Sequence, residues 1–141
     1  MLKYLHKYAN PVRFLSIARP ITKTMGLFSL FIIVVGLVFA LFFSPPDYQQ
    51  KETVRIMYIH VPAAWMSLMI YAFISFSSIV FLVWKFPLFL ILAKESVTIG
   101  VIFTFSALFT GSLWGKPTWG TYWVWDARLT SFLILFFIYL G

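Results

Sequence analysis

Residues 25–43 read MGLFSLFIIVVGLVFALFF, an apolar run without a single charge, and this run decides the class of fold. A helix of about 20 apolar residues crosses the roughly 30 Å hydrocarbon core of a bilayer. The rest of the chain agrees, because 62% of its 141 residues are hydrophobic and 11% are charged. A water-soluble domain of this length cannot bury so much apolar surface. The sequence therefore predicts an all-α, polytopic transmembrane helix bundle.

Further apolar runs follow the first one along the chain. We predict spans at about 25–43, 61–84 and 96–113, and a fourth that begins at 129. The fourth run, 129–141, is too short to cross a bilayer, so the prediction is three complete spans and the start of a fourth. Residues 86–93, FPLFLILA, are also too short, and we expect them to lie at the inner interface.

The first 24 residues form a basic tail that fixes the orientation. They carry no acidic residue and five cations, which are Lys3, Lys7, Arg13, Arg19 and Lys23. Positive segments next to a span stay in the cytoplasm. Alternation then makes 44–60 and 114–128 the outer loops of a membrane domain at 25–141. The long polar lead favours a retained anchor over a cleaved signal peptide.

His60 lies at the outer mouth of the second predicted span, in the stretch YIHVPAAW at 58–65. A histidine at the edge of a membrane helix is costly unless it has a role, and imidazole is a common axial ligand of haem iron. Pro62 favours a helix break or a helix start here, which leaves the ring at the membrane surface. The alternative is an interfacial histidine that hydrogen-bonds to a lipid headgroup or to a neighbouring carbonyl.

The next outer loop contains four of the six tryptophans within twelve residues: Trp114, Trp119, Trp123 and Trp125. Glycines and a proline argue against a helix before Thr121. An extended segment places Trp119, Trp123 and Trp125 on one face, whereas a helix turns Trp125 away. Such a cluster suits a planar aromatic ligand, although an aromatic belt at the lipid headgroups is the alternative.

Charged side chains accompany the cluster on the outer side. Asp126 is a plausible helix N-cap, and Arg128 can pair with it or with an outside anion. As single residues, we favour the cap and the ion pair over contact with a ligand. Arg55, Lys116 and Arg128 are candidate partners for anionic groups, while pairing with anionic lipid is the ordinary alternative for each.

Two motifs resemble the haem-handling protein family with the tryptophan-rich signature. Residues 108–131, LFTGSLWGKPTWGTYWVWDARLTS, resemble the signature itself. The stretch from DYQQ to RIMYIHVPAAW, residues 47–65, is similar to the region before and within the second span of the CcmC branch of that family. Together the similarity covers the chain from about residue 47 to its end.

The resemblance implies a function in c-type cytochrome biogenesis. It implies six spans in the complete form, in a bacterial inner membrane or a mitochondrial inner membrane. It further implies transient, non-covalent binding of haem b at the outer face, with presentation to a haem chaperone. The implied partners are that chaperone, ABC-type transporter subunits and a small membrane adaptor subunit, with no nucleic acid.

The resemblance also assigns roles to particular residues. His60 matches an axial ligand of the haem iron. The remaining matches form the haem and chaperone platform, which comprises Trp114, Trp119, Trp123, Trp125 and Asp126, with Arg128 beside them. The family uses a second outer histidine that has no counterpart here, and His6 lies in the cytoplasmic tail. We therefore expect this chain alone to bind haem weakly or not at all.

The remaining residue types limit the function further. The chain has no cysteine, so any haem is held reversibly and without thioether bonds. No nucleotide loop, catalytic triad or metal-hydrolase spacing occurs, and we predict that the protein is not an enzyme. A docking subunit without a ligand is the opposing hypothesis, since aromatic loops make good protein interfaces. A channel is a third possibility, but hydroxyl groups in the spans more often serve helix packing.

Overall fold

The computed structural model describes residues 10–141. Four α-helices account for most of this part: α1 (Pro11–Val38), α2 (Val54–Trp84), α3 (Pro87–Trp119) and α4 (Ala127–Leu140). Among the described residues, α1, α2 and α3 are long and apolar enough to cross a membrane. The predicted all-α, polytopic membrane fold is thereby confirmed. Lys3, Lys7 and His6 of the predicted tail lie outside the described residues.

Helix α1 begins at Pro11, within the segment that the sequence assigned to the tail. The Asn10 side chain accepts a hydrogen bond from the Val12 N–H at 3.0 Å, and proline at the first helical position lacks only an N–H that would be unpaired there. One π-helical turn, Phe39–Phe43, extends the helix. This turn packs on α2, whereas the apolar stretch of α1 buries no surface against the other described residues.

Helices α2 and α3 form an antiparallel pair joined by only two residues. Lys85 ends α2 in the left-handed conformation with φ 55°, and Phe86 precedes the proline that opens α3. Residues 87–93, which the sequence predicts at the inner interface, are the first turns of a 33-residue helix that continues through the predicted third span. At 1.5 Å per residue this helix is about 50 Å long, so it exceeds the thickness of the hydrocarbon core.

The predicted helix break or helix start at Pro62 is wrong. Helix α2 starts at Val54 and continues through Pro62 to Trp84, so the last seven residues of the predicted outer loop are helical. Proline removes a single backbone donor, and membrane helices tolerate this loss where neighbouring groups satisfy the freed carbonyl. His60 consequently lies on a continuous helix rather than in a loop.

Helix α4 is fixed to the pair by a buried tyrosine. The Tyr139 hydroxyl donates to the Ser67 carbonyl oxygen at 2.7 Å, and its ring lies directly over Gly100 of α3, where a Cβ atom would collide with it. The Ser67 and Thr104 hydroxyl groups are 2.6 Å apart, and Thr104 donates to the Gly100 carbonyl oxygen. These hydroxyl groups thus serve helix packing, and they hold the C-terminal end of α4 against the middle of α2 and α3.

Candidate functional site

His60 is held across the interface between α2 and α3. Its Nδ1 lies 3.0 Å from the Ala107 carbonyl oxygen and 3.2 Å from the Thr110 hydroxyl oxygen. A carbonyl oxygen can only accept, so Nδ1 carries the ring proton. The neutral ring then has a lone pair on Nε2, which has no hydrogen-bond partner among the described residues. A second hydrogen bond that fixes the tautomer in this way is usual for histidines that bind metals.

Gly111 makes room for this ring. A Cβ atom at Gly111 would lie 2.9 Å from His60 Cε1, which is closer than such atoms approach each other. Gly111 is buried. It lies one helical turn after Ala107, whose carbonyl oxygen accepts the hydrogen bond from His60. The glycine in the TGS segment of α3 therefore serves the position of the imidazole.

A cavity of about 310 Å³ opens beside the imidazole ring, between the N-terminal part of α2, the C-terminal part of α3 and the start of α4. Four of the sequence-predicted site residues line it: His60, Trp114, Trp119 and Arg128. Most of the remaining wall is apolar and comes from side chains such as Met57, Leu108 and Phe132. Its volume lies at the lower end of the range for small-molecule sites. Among the residues expected at the site, the structure thus brings together the histidine and two of the four outer tryptophans.

The two cavity tryptophans lie on helix α3. The expectation that no helix precedes Thr121 is wrong, since α3 continues to Trp119 and ends at Gly120, which has φ 77°. Pro117 lies in the last turn, where it removes one N–H without ending the helix. Gly115 is buried because the Trp119 ring packs over it, and the Trp114 and Trp119 rings meet edge to face with centroids 5.4 Å apart.

The other two tryptophans form a second pair outside the cavity. Trp123 and Trp125 follow in the loop, and their rings meet edge to face with centroids 5.4 Å apart. Trp125 is 76% exposed, whereas the Trp123 Nε1 atom is buried and has no hydrogen-bond partner among the described residues. Neither ring lines the cavity beside His60. The four tryptophans therefore divide into a cavity pair, Trp114 and Trp119, and a loop pair, Trp123 and Trp125.

Asp126 caps helix α4, as the sequence favoured. Its Oδ1 accepts from the Leu129 N–H at 2.8 Å, and its Oδ2 pairs with Arg128 Nη2 at 2.8 Å. The backbone N–H of Leu129, followed by the Arg128 guanidinium, holds the pKa of the Asp126 carboxyl below its usual range. Asp126 does not line the cavity, and its effect there is to orient Arg128.

Arg128 is the cation that reaches the cavity. Its guanidinium lies over the Trp119 ring, 5.1 Å from the centroid. Arg55 instead pairs with Glu52 at 3.1 Å and donates to the Ser44 carbonyl oxygen, and Lys116 donates to the Gly120 carbonyl oxygen at 3.1 Å. Neither Arg55 nor Lys116 lines the cavity, so of these three candidate cations only Arg128 is in position to meet an anionic group of a ligand there.

Sequence reasoning missed two residues that support the site, Asp47 and Gln50. Gln50 Oε1 accepts from the Trp114 indole N–H at 3.0 Å. The Asp47 carboxylate in turn accepts from the backbone N–H groups of Gln49 and Gln50 at 2.9 and 2.7 Å, and these bonds hold the pKa of Asp47 below its usual range. The short DYQQ run is a turn signal in the sequence, but its contact with Trp114, 64 positions away, leaves no sequence signal.

Comparison with known proteins finds relatives whose names refer to heme export or to cytochrome c biosynthesis. The family model for CcmC, heme exporter protein C, matches residues 4–141. Heme exporter protein C of Bradyrhizobium diazoefficiens is 50% identical over 133 residues, which are 94% of this chain and 50% of the relative. The Haemophilus influenzae protein of the same name is 45% identical over all 141 residues and 57% of its own length. A cytochrome c biosynthesis ccmC-like mitochondrial protein of Marchantia polymorpha is 54% identical over 114 residues, 81% of this chain and 50% of the relative.

The match fixes the family of the chain but covers only part of each relative. The chain spans about half the length of the curated relatives that it matches. The matched part contains both the histidine on α2 and the tryptophan-rich end of α3. The chain belongs to the CcmC family, the heme exporter protein C family.

Proposed function

We propose that this protein handles haem in c-type cytochrome biogenesis, and that the cavity beside His60 is where the haem is held. The observation that carries the proposal is the tautomer of His60. Its Nδ1 proton is committed to the Ala107 carbonyl oxygen, so the Nε2 lone pair is available as one axial ligand for haem iron. The relatives named heme exporter protein C support haem as the ligand.

The chemistry of the cavity walls fits one part of a haem group. The Trp114 and Trp119 rings offer flat apolar surfaces to a porphyrin, and Arg128 offers a cation to a propionate. A cavity of about 310 Å³ is at the small end for such a ligand, so part of the macrocycle would remain outside it. Partial enclosure of the macrocycle suits a protein that must release its cargo.

The loop that carries the loop pair supports a second task, the transfer of haem to a partner. In the same loop, Trp125 and Tyr122 are 76% and 54% exposed. Exposed aromatic side chains are common anchors of protein interfaces. We propose that this loop faces a haem chaperone on the outer side of a bacterial inner membrane, or of a mitochondrial inner membrane, with the N-terminus in the cytoplasm. ABC-type transporter subunits and a small membrane adaptor subunit are the proposed partners within the membrane.

A ligand-free docking subunit is the second candidate function, and the same exposed loop favours it. The two functions differ in what His60 does. In the docking function the imidazole serves only to join α2 to α3, and its Nε2 has no task. Loss of the ring then weakens helix packing but changes no haem spectrum.

An absorption titration with haemin tests the proposal. The wild-type chain in lipid nanodiscs is compared with His60→Ala. A chimera, in which the chain is joined to the part of the Haemophilus influenzae relative that it does not match, is compared with its own His60→Ala variant. A Soret band that depends on His60, is stronger in the chimera and is recovered in His60→Ala by added imidazole supports the haem site. Identical spectra for the wild-type and variant chimeras would exclude it and favour docking alone.

A further inference from the structure

The Trp114 indole ring is attached to the other outer loop by one hydrogen bond. Its Nε1–H donates to Gln50 Oε1 at 3.0 Å, and both residues are partly buried. An indole N–H can only donate, so the atom of Gln50 that faces it is the amide oxygen. This contact joins residues 64 positions apart and connects the loop before α2 with the end of α3.

Gln50 is itself held by a closed turn. The backbone groups of Asp47 and Lys51 bond to each other at 3.1 and 2.9 Å, and the Asp47 carboxylate accepts from the Gln50 N–H at 2.7 Å. The Thr53 N–H and hydroxyl group both donate to the Gln50 carbonyl oxygen. The backbone of Gln50 is therefore fixed on both sides, and its side chain starts from a defined position.

The direction of the Trp114 ring determines the shape of the cavity. The ring lines the cavity beside His60 and meets Trp119 edge to face, so a rotation of Trp114 changes both a cavity wall and the contact between the two rings. The Gln50 hydrogen bond is the one polar contact of the indole N–H among the described residues. Without it, the N–H would have to find another acceptor, and the ring would lose its fixed orientation.

We propose that Gln50 is a positioning residue for the haem site: by accepting from Trp114 Nε1 it fixes the indole that forms one wall of the His60 cavity. Asp47 and Thr53 hold Gln50 in place for this task. The inference rests on the proposed function, because it assigns to Gln50 an effect on haem affinity. Gln50 itself does not line the cavity and does not touch the ligand.

The chain provides a matched control for a test of this role. Gln49 is the neighbouring glutamine. Within residues 10–141 its hydrogen bond is from its backbone N–H to Asp47, and its exposed side chain makes no hydrogen bond to Trp114. The set is wild type, Gln50→Leu, Gln50→Glu and Gln49→Leu, together with Trp114→Phe for assignment. Gln50→Leu keeps the size of the side chain but removes the acceptor, whereas Gln50→Glu keeps an acceptor oxygen.

Two readouts follow the set in nanodiscs, the first on the chain itself and the second on the same variants of the chimera. The first is the indole N–H spectrum of the haem-free protein labelled with ¹⁵N-tryptophan, in which Trp114→Phe identifies the Trp114 signal. The second is the haemin affinity from the Soret band that depends on His60. We expect Gln50→Leu to move the Trp114 signal and to weaken haemin binding by about three- to tenfold, the range for one hydrogen bond. Gln50→Glu should keep both the Trp114 signal and the haemin affinity close to those of the wild type. Gln49→Leu should change neither.

The outcomes separate this inference from the proposed function. An unmoved Trp114 signal in Gln50→Leu would overturn the contact. A moved signal with unchanged haemin affinity would overturn the positioning role while the haem site stands. Equal losses in Gln50→Leu and Gln49→Leu would also overturn it, because a general disturbance of the loop would then be the cause. A chimera without a His60-dependent Soret band would overturn the proposed function, and with it the assigned effect on affinity, whatever the indole signal shows.

Discussion

The imidazole of His60 reaches the backbone of Ala107 on the neighbouring helix, with 3.0 Å between Nδ1 and the carbonyl oxygen. Ala107 is 2% exposed, so this carbonyl lies within the helix interface. The ring can approach it only because the next turn of α3 carries Gly111. One side-chain orientation thus depends on a residue that has no side chain.

Gly111→Ala should displace the His60 ring and weaken haem binding. The added methyl group would lie 2.9 Å from Cε1, so either the ring or the helix must move. Loss of a supporting contact to a metal ligand typically costs about 10- to 100-fold in affinity, and we expect a loss in this range by haemin titration. Gly36→Ala is the matched control, since no atom lies within 4 Å of its added Cβ. Unchanged haemin affinity in Gly111→Ala would show that the position of the ring does not matter for binding.

Arg128→Gln should weaken the binding of haem through its propionates. The Arg128 side chain is 66% exposed, so water screens the interaction, and we expect a loss of about two- to fivefold. Haemin dimethyl ester, which lacks the negative charges, should bind the wild type and the variant equally well. Lys116→Gln removes a cation outside the cavity and should change neither titration. An equal loss for haemin and for its ester would assign Arg128 to the shape of the site rather than to its charge.

Gly100→Ala should destabilise the packing of α4. A Cβ atom at this position collides with the Tyr139 ring, and overpacking of this kind costs about 1–3 kcal/mol in the free energy of unfolding. Tyr139→Phe keeps the ring and loses only the bond to the Ser67 carbonyl oxygen, for which about 0.6 kcal/mol is expected in a membrane. Unfolding in mixed micelles with increasing SDS measures both changes. Gly26→Ala, which meets no atom within 4 Å, is the control.

The cap at Asp126 should make the stability of α4 depend on acidic pH. Its carboxyl pKa is lowered by the Leu129 N–H and by Arg128, so the folded state favours the ionised form. The resulting stabilisation is present above the ordinary aspartate pKa and is lost as the pH falls through the lowered value. Asp126→Asn keeps a capping side chain but does not titrate. In thermal melts at a series of acidic pH values, the melting temperature of the wild type should therefore fall more steeply with decreasing pH than that of the variant. A wild type and variant with the same acid dependence would contradict the assignment.

The membrane fold could be predicted from the sequence because its signals are local. The apolar run at 25–43 and the two runs after it need no partner to be recognised, and the helix cap at Asp126 follows from residue type and position. Helix bounds were less predictable. Pro62 and Pro117 are strong stop signals in isolation, yet each removes only one donor from a helix that its neighbours support.

The candidate site was predictable in its members but not in its arrangement. His60 and the tryptophans could be selected as unusual residues on one side of the membrane. Their division into a cavity pair and a loop pair depends on where α3 ends, which is set by the left-handed Gly120. The contribution of Gln50 depends on a contact between distant segments, and residue type alone does not signal it.

The two-residue turn at Lys85 and Phe86 has a consequence for how the protein enters the bilayer. A connection of two residues holds the end of α2 next to the start of α3, so α2 cannot cross the membrane while α3 remains outside it. The two helices must insert as one hairpin, and the chain that carries His60 and the chain that carries the tryptophans arrive at the far surface together. Assembly of the cavity is then coupled to insertion itself.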